Sequence, residues 1–207
     1  MSHFVVAVFS MRPEDVDMLL SPFDENTEDG EYLEWVSDED SDFNEERNEN
    51  GYISNPNAKW DWYEIGGRWN GALRMKNSDR RSNQAQVKDV DFSPESDEYR
   101  HALRFWEVNV EGQPLRDDEK LSDFFCICKP EYYRERYGAK ECYAQSCSEF
   151  LTWAHITPEG EWVEQGEMGW FGVGKDTKES ISNYRKDLKE MIEENPDLWI
   201  TIVDCHI

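Results

Sequence analysis

The chain has 207 residues, with 46 Asp and Glu against 22 Lys and Arg, so its formal net charge is -24. This acidic balance argues against direct nucleic-acid binding, which depends on Lys and Arg contacts with phosphates, and against binding to an anionic membrane surface. No apolar run approaches the roughly 20 residues that a membrane-spanning helix needs, and we expect no secretion signal at residues 1–10. The expectation is a cytoplasmic protein with one domain over residues 1–207.

The first elements along the chain are a strand, a short helix and an acidic segment. Residues 3–9 are β-branched and aromatic, which predicts a buried strand, and residues 13–20 predict a short helix with a proline near its start. Residues 21–50 hold thirteen Asp or Glu and one Arg. This stretch predicts an acidic, mobile insertion, although interleaved aromatic residues such as Trp35 and Phe43 leave a partner-binding segment open.

The densest chemical signal is the segment at residues 59–71, KWDWYEIGGRWNG. Its indole rings offer flat stacking faces, its glycines allow close backbone approach, and its arginine offers a fork for a carboxylate or phosphate. The segment therefore predicts a ligand-binding wall, with a tightly turned core segment as the alternative. The candidate residues in it are Trp60, Asp61, Trp62, Arg68 and Trp69.

The middle of the chain predicts helices at residues 96–108 and 130–137, followed by a β-hairpin over residues 150–164 with a Pro-Glu-Gly turn. Five cysteines are present. Their spacings, Cys-x-Cys and Cys-x4-Cys, do not match the usual zinc knuckle, so we expect no metal and no cofactor, with a four-thiolate zinc site as a weaker alternative.

The last third of the chain contains a glycine-rich turn, a helix and a strand. Residues 166–174 carry four glycines around two aromatic residues, and a turn of this kind before a helix can cradle an anion; Glu167 and Trp170 are its candidate ligand-binding residues. A helix is predicted over residues 177–194, capped by Asp176 with Glu179. A final strand is predicted over residues 198–203.

Together these elements predict an α+β fold. Its sheet is mostly antiparallel, contains both terminal strands and is packed by two or three helices, with residues 21–50 as an acidic insertion. If the terminal strands pair, then His3, Asp204, Cys205 and His206 cluster at one edge of the sheet. Cys205 and His206 are neighbours along a strand and point to opposite faces, which argues against a thiolate–imidazole dyad.

Four sequence blocks resemble a family of hypothetical proteins from tailed bacteriophages and prophages. The blocks are MSHFVVAV at the start, NPNAKWDWYEIGGRWNG at residues 55–71, GEMGWFG at residues 166–172 and VDCHI at the end. The resemblance implies a phage origin and expression inside a bacterial host cell, and it implies no particular reaction. It also implies that the two tryptophan–glycine segments and both chain ends meet around one site.

Three functional hypotheses follow. The first is a non-enzymatic phage protein that occupies a host defence protein or nuclease through its acidic surface, as a DNA mimic does, in a counter-defence role. The second is a nucleotide-binding or nucleotide-sequestering protein that uses the aromatic and arginine residues above together with His206. The third is a metal-dependent or acid–base hydrolase that uses carboxylates and a histidine, namely Asp61, Glu64, Glu167, Asp204 and His206.

Overall fold

The computed structural model describes residues 2–126, 128–168 and 174–207. They group into two compact units: unit 1 comprises Met1–Asp91 and Thr152–Ile207, and unit 2 comprises Phe92–Leu151. The expectation of one domain over residues 1–207 stays a prediction.

The regular elements follow the chain in this order. The helices are α1 (Val16–Leu20), α2 (Ser96–Asn109), α3 (Pro130–Tyr137), α4 (Lys140–Ser148) and α5 (Lys178–Glu194). The strands are β1 (His3–Ser10), β2 (Glu34–Ser37), β3 (Phe43–Asn44), β4 (Glu49–Ser54), β5 (Trp62–Ile65), β6 (Leu73–Arg74), β7 (Arg81–Ser82), β8 (Gln84–Gln86), β9 (Ala154–Ile156), β10 (Trp162–Glu164), β11 (Glu167–Met168), β12 (Gly174–Lys175) and β13 (Trp199–His206). Among the described residues, no helix combines the length and the apolar character needed to cross a membrane.

The main sheet of unit 1 has the order β10-β9-β1-β13-β5, and β8 also pairs with β13. Its ladders are antiparallel except for the parallel pair of β1 and β9. Both terminal strands lie at its centre, which confirms the predicted α+β class and the mostly antiparallel sheet. The predicted hairpin is confirmed too, since β9 and β10 pair directly.

The two faces of this sheet are covered differently. Alternate residues of β1, among them Val6 and Val8, pack with α1 and the turn after it in a fully apolar cluster. On the opposite face, the ring of His155 lies between those of Phe9 and Tyr184, with ring centroids 5.9 and 5.4 Å away. Since Tyr184 belongs to α5, this helix covers the second face of the sheet.

Helix α5 begins one residue later than the sequence predicts. Thr177 is the N-cap: its hydroxyl accepts a hydrogen bond from the backbone N–H of Ser180, and the Ser180 hydroxyl accepts one from the N–H of Thr177. The predicted capping pair of Asp176 and Glu179 is therefore wrong. The physical reason is that a Thr–Ser pair forms the same reciprocal cap with shorter side chains.

The acidic segment contributes strands to a small antiparallel sheet. Its order is β2-β4-β3, with Trp35 opposite Ile53 and Phe43 opposite Asn50. Trp35 packs against Gly51, and the guanidinium of Arg47 lies 4.9 Å from the centre of the Trp35 ring. These contacts fix the backbone that carries many of the carboxylates.

Unit 2 consists of α2, α3 and α4 with their connecting turns. The first two helices match the prediction, and α4 was not predicted from the sequence. Arg104 of α2 is nine-tenths buried and donates two hydrogen bonds to Glu119, at 2.8 and 2.7 Å. Helices α2 and α4 pack through Phe105 and Trp106 of α2 against Tyr143 of α4.

Candidate functional site

The register of the central strands brings both chain ends to one place. His3 of β1 lies directly opposite His206 of β13, and Trp62 of β5 lies opposite His206 on the other side. The three rings form a triangle with centroids 5.0 to 5.3 Å apart. We call His3, Asp61, Trp62, Asp204 and His206 the paired-histidine site.

Each histidine of the site is held by its own carboxylate. His3 Nδ1 lies 2.8 Å from Asp204 Oδ1, and His206 Nδ1 lies 2.6 Å from Asp61 Oδ1. Because an ionised carboxylate can only accept, both Nδ1 atoms must donate to their carboxylates. The site therefore contains two histidine rings whose orientations are each fixed by a carboxylate.

The environment of His206 is the most unusual feature of the site. Its side chain is nine-tenths buried, and its Nε2 is buried without a hydrogen-bond partner among the described residues. The Trp62 ring stacks on it with an interplanar angle of 18°, and the His3 ring stands nearly perpendicular at 78°. A buried polar atom without a hydrogen-bond partner costs about 1 to 3 kcal/mol, a cost that a bound partner would remove.

A glycine turn ties the segment at residues 66–68 to Asp204. Gly67 has a φ of +45°, and a Cβ built on it would lie 2.5 Å from Asp204 Cβ and Oδ2. The backbone N–H of Arg68 donates to Asp204 Oδ2 at 2.9 Å. Only glycine permits both this conformation and this approach, so the Gly-Gly-Arg string positions Asp204, which in turn holds His3.

The predicted ligand-binding residues separate into three groups. Asp61, Trp62 and His206 come together in the paired-histidine site, and Arg68 reaches it through its backbone N–H. Trp60 lies in the apolar core, 6% exposed, and Trp69 is half-buried in the turn after β5. Trp170 lies outside the described residues, and of Glu167 only the place in β11 is described.

The chemistry open to this site is that of two oriented imidazoles. In acid–base catalysis, a histidine often acts as the base, and an aspartate that accepts a hydrogen bond from its Nδ1–H orients the ring. Cys205 cannot serve as the nucleophile for these histidines, because it lies on the opposite face in the core, where burial raises the pKa of its thiol. The hydrolase hypothesis therefore gains no thiolate nucleophile from Cys205.

Within the part of the chain that the structure describes, neither the cysteines nor the carboxylates suggest a metal centre. Cys126, Cys128, Cys142, Cys147 and Cys205 are free thiols. In the described ranges, no group of three or more His, Cys, Asp or Glu is placed to hold a metal ion. The weaker alternative of a four-thiolate zinc site gains no support from these residues.

A second candidate site is an open groove beside the acidic sheet, which sequence reasoning did not find. Its volume is about 630 Å³. Tyr52 and Ile53 of β4 are among its lining residues, and both are exposed to solvent, at 47% and 61%. We call it the acidic groove, and it is lined by Glu25, Asn26, Thr27, Glu28, Leu33, Tyr52, Ile53 and Ser54.

The charges around the acidic groove are uncompensated. Residues 24–34 include six Asp or Glu and no Lys or Arg. In the structure, Glu25 and Glu28 form no ion pair with any described cation. By contrast, the acids Glu164 and Asp91 elsewhere in unit 1 pair with Lys59 and Arg74. The groove therefore joins exposed apolar side chains to a negative rim.

Comparison with known protein families, curated proteins and solved structures finds no match to this chain.

Proposed function

We propose that this chain is a phage-encoded, non-enzymatic binding protein that acts in the host cytoplasm on a basic host protein, in a counter-defence role. The partner class is a defence protein or nuclease whose nucleic-acid groove is positively charged. The observation that carries the proposal is the acidic groove, because it joins an apolar surface to carboxylates without counter-charges. The phage origin rests on the resemblance of the four sequence blocks.

Electrostatic complementarity explains why such a groove suits a basic partner. Like charges held close together repel one another, and a partner's Lys and Arg would relieve that repulsion on binding. Exposed Tyr52 and Ile53 would supply the apolar contact that a purely charged surface lacks. The partner segment that fits is therefore one with basic residues around an apolar side chain.

The sheet of β2, β4 and β3 bears on a requirement of DNA mimicry. A mimic must hold its carboxylates at fixed positions, since mobile charges cannot imitate a regular row of phosphates. Strands β2 and β4 carry Glu34 and Glu49 on a hydrogen-bonded frame. This frame supports the mimic form of the proposal.

The experiment compares two variants with the same net charge. Each removes four carboxylates, which changes the charge from -24 to -20. The groove variant is E25Q/E28Q/D29N/E31Q, and the control variant is E98Q/D117N/D118N/E141Q in unit 2. The immobilised full chain is incubated with host-cell lysate, and the retained proteins are identified by mass spectrometry.

The expected result is a basic host protein that the wild type and the control variant retain and the groove variant does not. Duplex DNA added to the lysate should compete with the wild-type chain for this host protein. At low salt, the host protein should associate about tenfold more slowly with the groove variant than with the wild type. Equal retention by both variants, or no competition by DNA, would contradict the proposal.

A further inference from the structure

One face of the Trp62 ring stacks on a buried side chain, which fixes the orientation of the indole. The ring stacks on the buried imidazole of His206, which Asp61 anchors, while the residue itself is 44% exposed. The rings that contact it in the described part of the chain are those of His206 and His3. The indole face turned away from His206 is therefore open and already oriented, so a planar ligand could stack on it without ordering a mobile side chain.

Arg68 supplies a free cation to the same network. Its backbone N–H is fixed by Asp204, which also holds His3, while its side chain is exposed. Its guanidinium makes no ion pair or hydrogen bond with any described residue. Of the other cations in residues 59–81, Lys59 pairs with Glu164 and Arg74 pairs with Asp91.

The local charge differs from that of the whole chain. Residues 59–81 contain six Lys or Arg and three Asp or Glu, a net charge of +3. The segment that carries Trp62 and Arg68 is therefore less acidic than the chain as a whole. This difference reduces the electrostatic objection to a phosphorylated ligand.

We propose that the paired-histidine site binds a nucleotide, with the base stacked on the open face of Trp62 and the phosphate held by the guanidinium of Arg68. Bases stack on aromatic side chains without needing base-specific hydrogen bonds, and a guanidinium binds phosphate in a bidentate geometry. His206 and Asp61 act as positioning residues, because they hold the indole and do not touch the ligand in this arrangement. The proposal is independent of the acidic groove.

Binding is tested by calorimetry on the full chain. The probes are AMP, GMP, CMP and UMP, with the four matching nucleosides and inorganic phosphate titrated separately. Trp62→Ala should weaken the binding of the preferred monophosphate and of its nucleoside by about 5- to 150-fold, the range that one stacked base represents. Arg68→Gln should weaken the monophosphate and leave the nucleoside unchanged.

Two matched controls separate this site from general surface effects. Phe43→Ala removes an exposed aromatic ring from β3, and Arg80→Gln removes an exposed cation of the same basic segment. Both should bind like the wild type. Arg68 is exposed, so Arg68→Gln keeps the test valid if Trp62→Ala fails to fold.

Three results would overturn the proposal. They are a wild type that binds none of the four monophosphates at millimolar concentration, an Arg68→Gln variant that binds like the wild type, and controls that lose as much affinity as the site variants. Each is independent of the lysate experiment, so this proposal and the acidic-groove proposal can fail separately.

Discussion

Acidification from pH 7 to pH 5 is expected to destabilise unit 1 through His155. This residue is 2% exposed, and burial lowers its pKa from 6.5 to about 4, with nearby Asp187 opposing the shift in part. The unfolded chain therefore binds the proton more readily than the folded one. The part of the free energy of unfolding that depends on a neutral His155 ring is fully present above pH 6.5 and is lost as the pH falls towards 4.

The size of the effect follows from the two pKa values. Linkage between 6.5 in the unfolded chain and about 4 in the folded one predicts a loss of about 2 kcal/mol in the free energy of unfolding from pH 7 to pH 5. The same relation predicts about 3 kcal/mol by pH 4. Carboxylates also titrate in this range, so the wild type alone cannot isolate the contribution of His155.

The variant His155→Leu isolates it, because leucine fills similar volume between Phe9 and Tyr184 and does not titrate. Urea unfolding followed by tryptophan fluorescence at pH 7 and pH 5 should show a smaller pH-dependent loss in this variant, by about 2 kcal/mol. His101→Gln changes an exposed histidine and should retain the wild-type pH dependence. If His155→Leu loses as much stability as the wild type, the burial argument is refuted.

Two further predictions concern the glycine turn and the buried arginine. Gly67→Ala should cost about 3 to 4 kcal/mol in urea unfolding, because the new Cβ displaces Asp204 as well as straining φ. Gly160→Ala also strains φ, but its Cβ would meet Leu19 Cδ2 at an ordinary contact distance of 4.0 Å, so it should cost about 1 to 2 kcal/mol; equal costs would contradict the Asp204 contact. The hydrogen bonds from Arg104 lower the pKa of Glu119 from 4.5 to about 2, so its stabilising effect is present above pH 4.5 and lost towards pH 2. Glu119→Gln should lower the Tm at pH 7, and its gap from the wild type in thermal melts should close towards pH 2; a gap that is constant with pH would count against the pair.

The central pairing could be predicted from the sequence because both terminal strands are dense in β-branched and aromatic residues. Such runs are stable only when covered on both faces, which places them at the middle of a sheet. The cluster of His3, Asp204 and His206 then follows from antiparallel register. Asp61, which holds His206, was also a candidate, but its partner was not evident from the sequence because Arg68 lies in the same short segment and could pair with it.

The sequence does not show that Trp60 lies in the core while Trp62 lies in the paired-histidine site. Two residues apart, they would share a face in a continuous strand. Strand β5 begins only at Trp62, and Trp60 forms an isolated bridge with Asp24, so its ring turns into the core instead. A local break of this kind depends on tertiary contacts and leaves no pattern in the sequence.

The strands in the acidic segment were missed for a different reason. Charged residues hide the short alternation that marks a strand, so residues 34–54 resemble a solvated tail. The sequence feature that could have revealed these strands is a set of apolar residues that pair across β2 and β4, namely Trp35, Val36, Tyr52 and Ile53. Pairing between β2 and β4 explains why apolar residues occur in this acidic stretch, whereas a mobile tail would not require them.

The pairing of β1 with β13 has a kinetic consequence. Backbone hydrogen bonds between Ser2 and Ile207 run in both directions, so the two central strands of the sheet come from opposite ends of the 207-residue chain. Folding of unit 1 must therefore close its longest loop before its central ladder can form, which favours slow folding. During synthesis, β1 must wait without its partner until residues 199–206 have left the ribosome. A permuted chain that joins Ser2 to Ile207 by a short linker would place these strands in one hairpin and should fold faster.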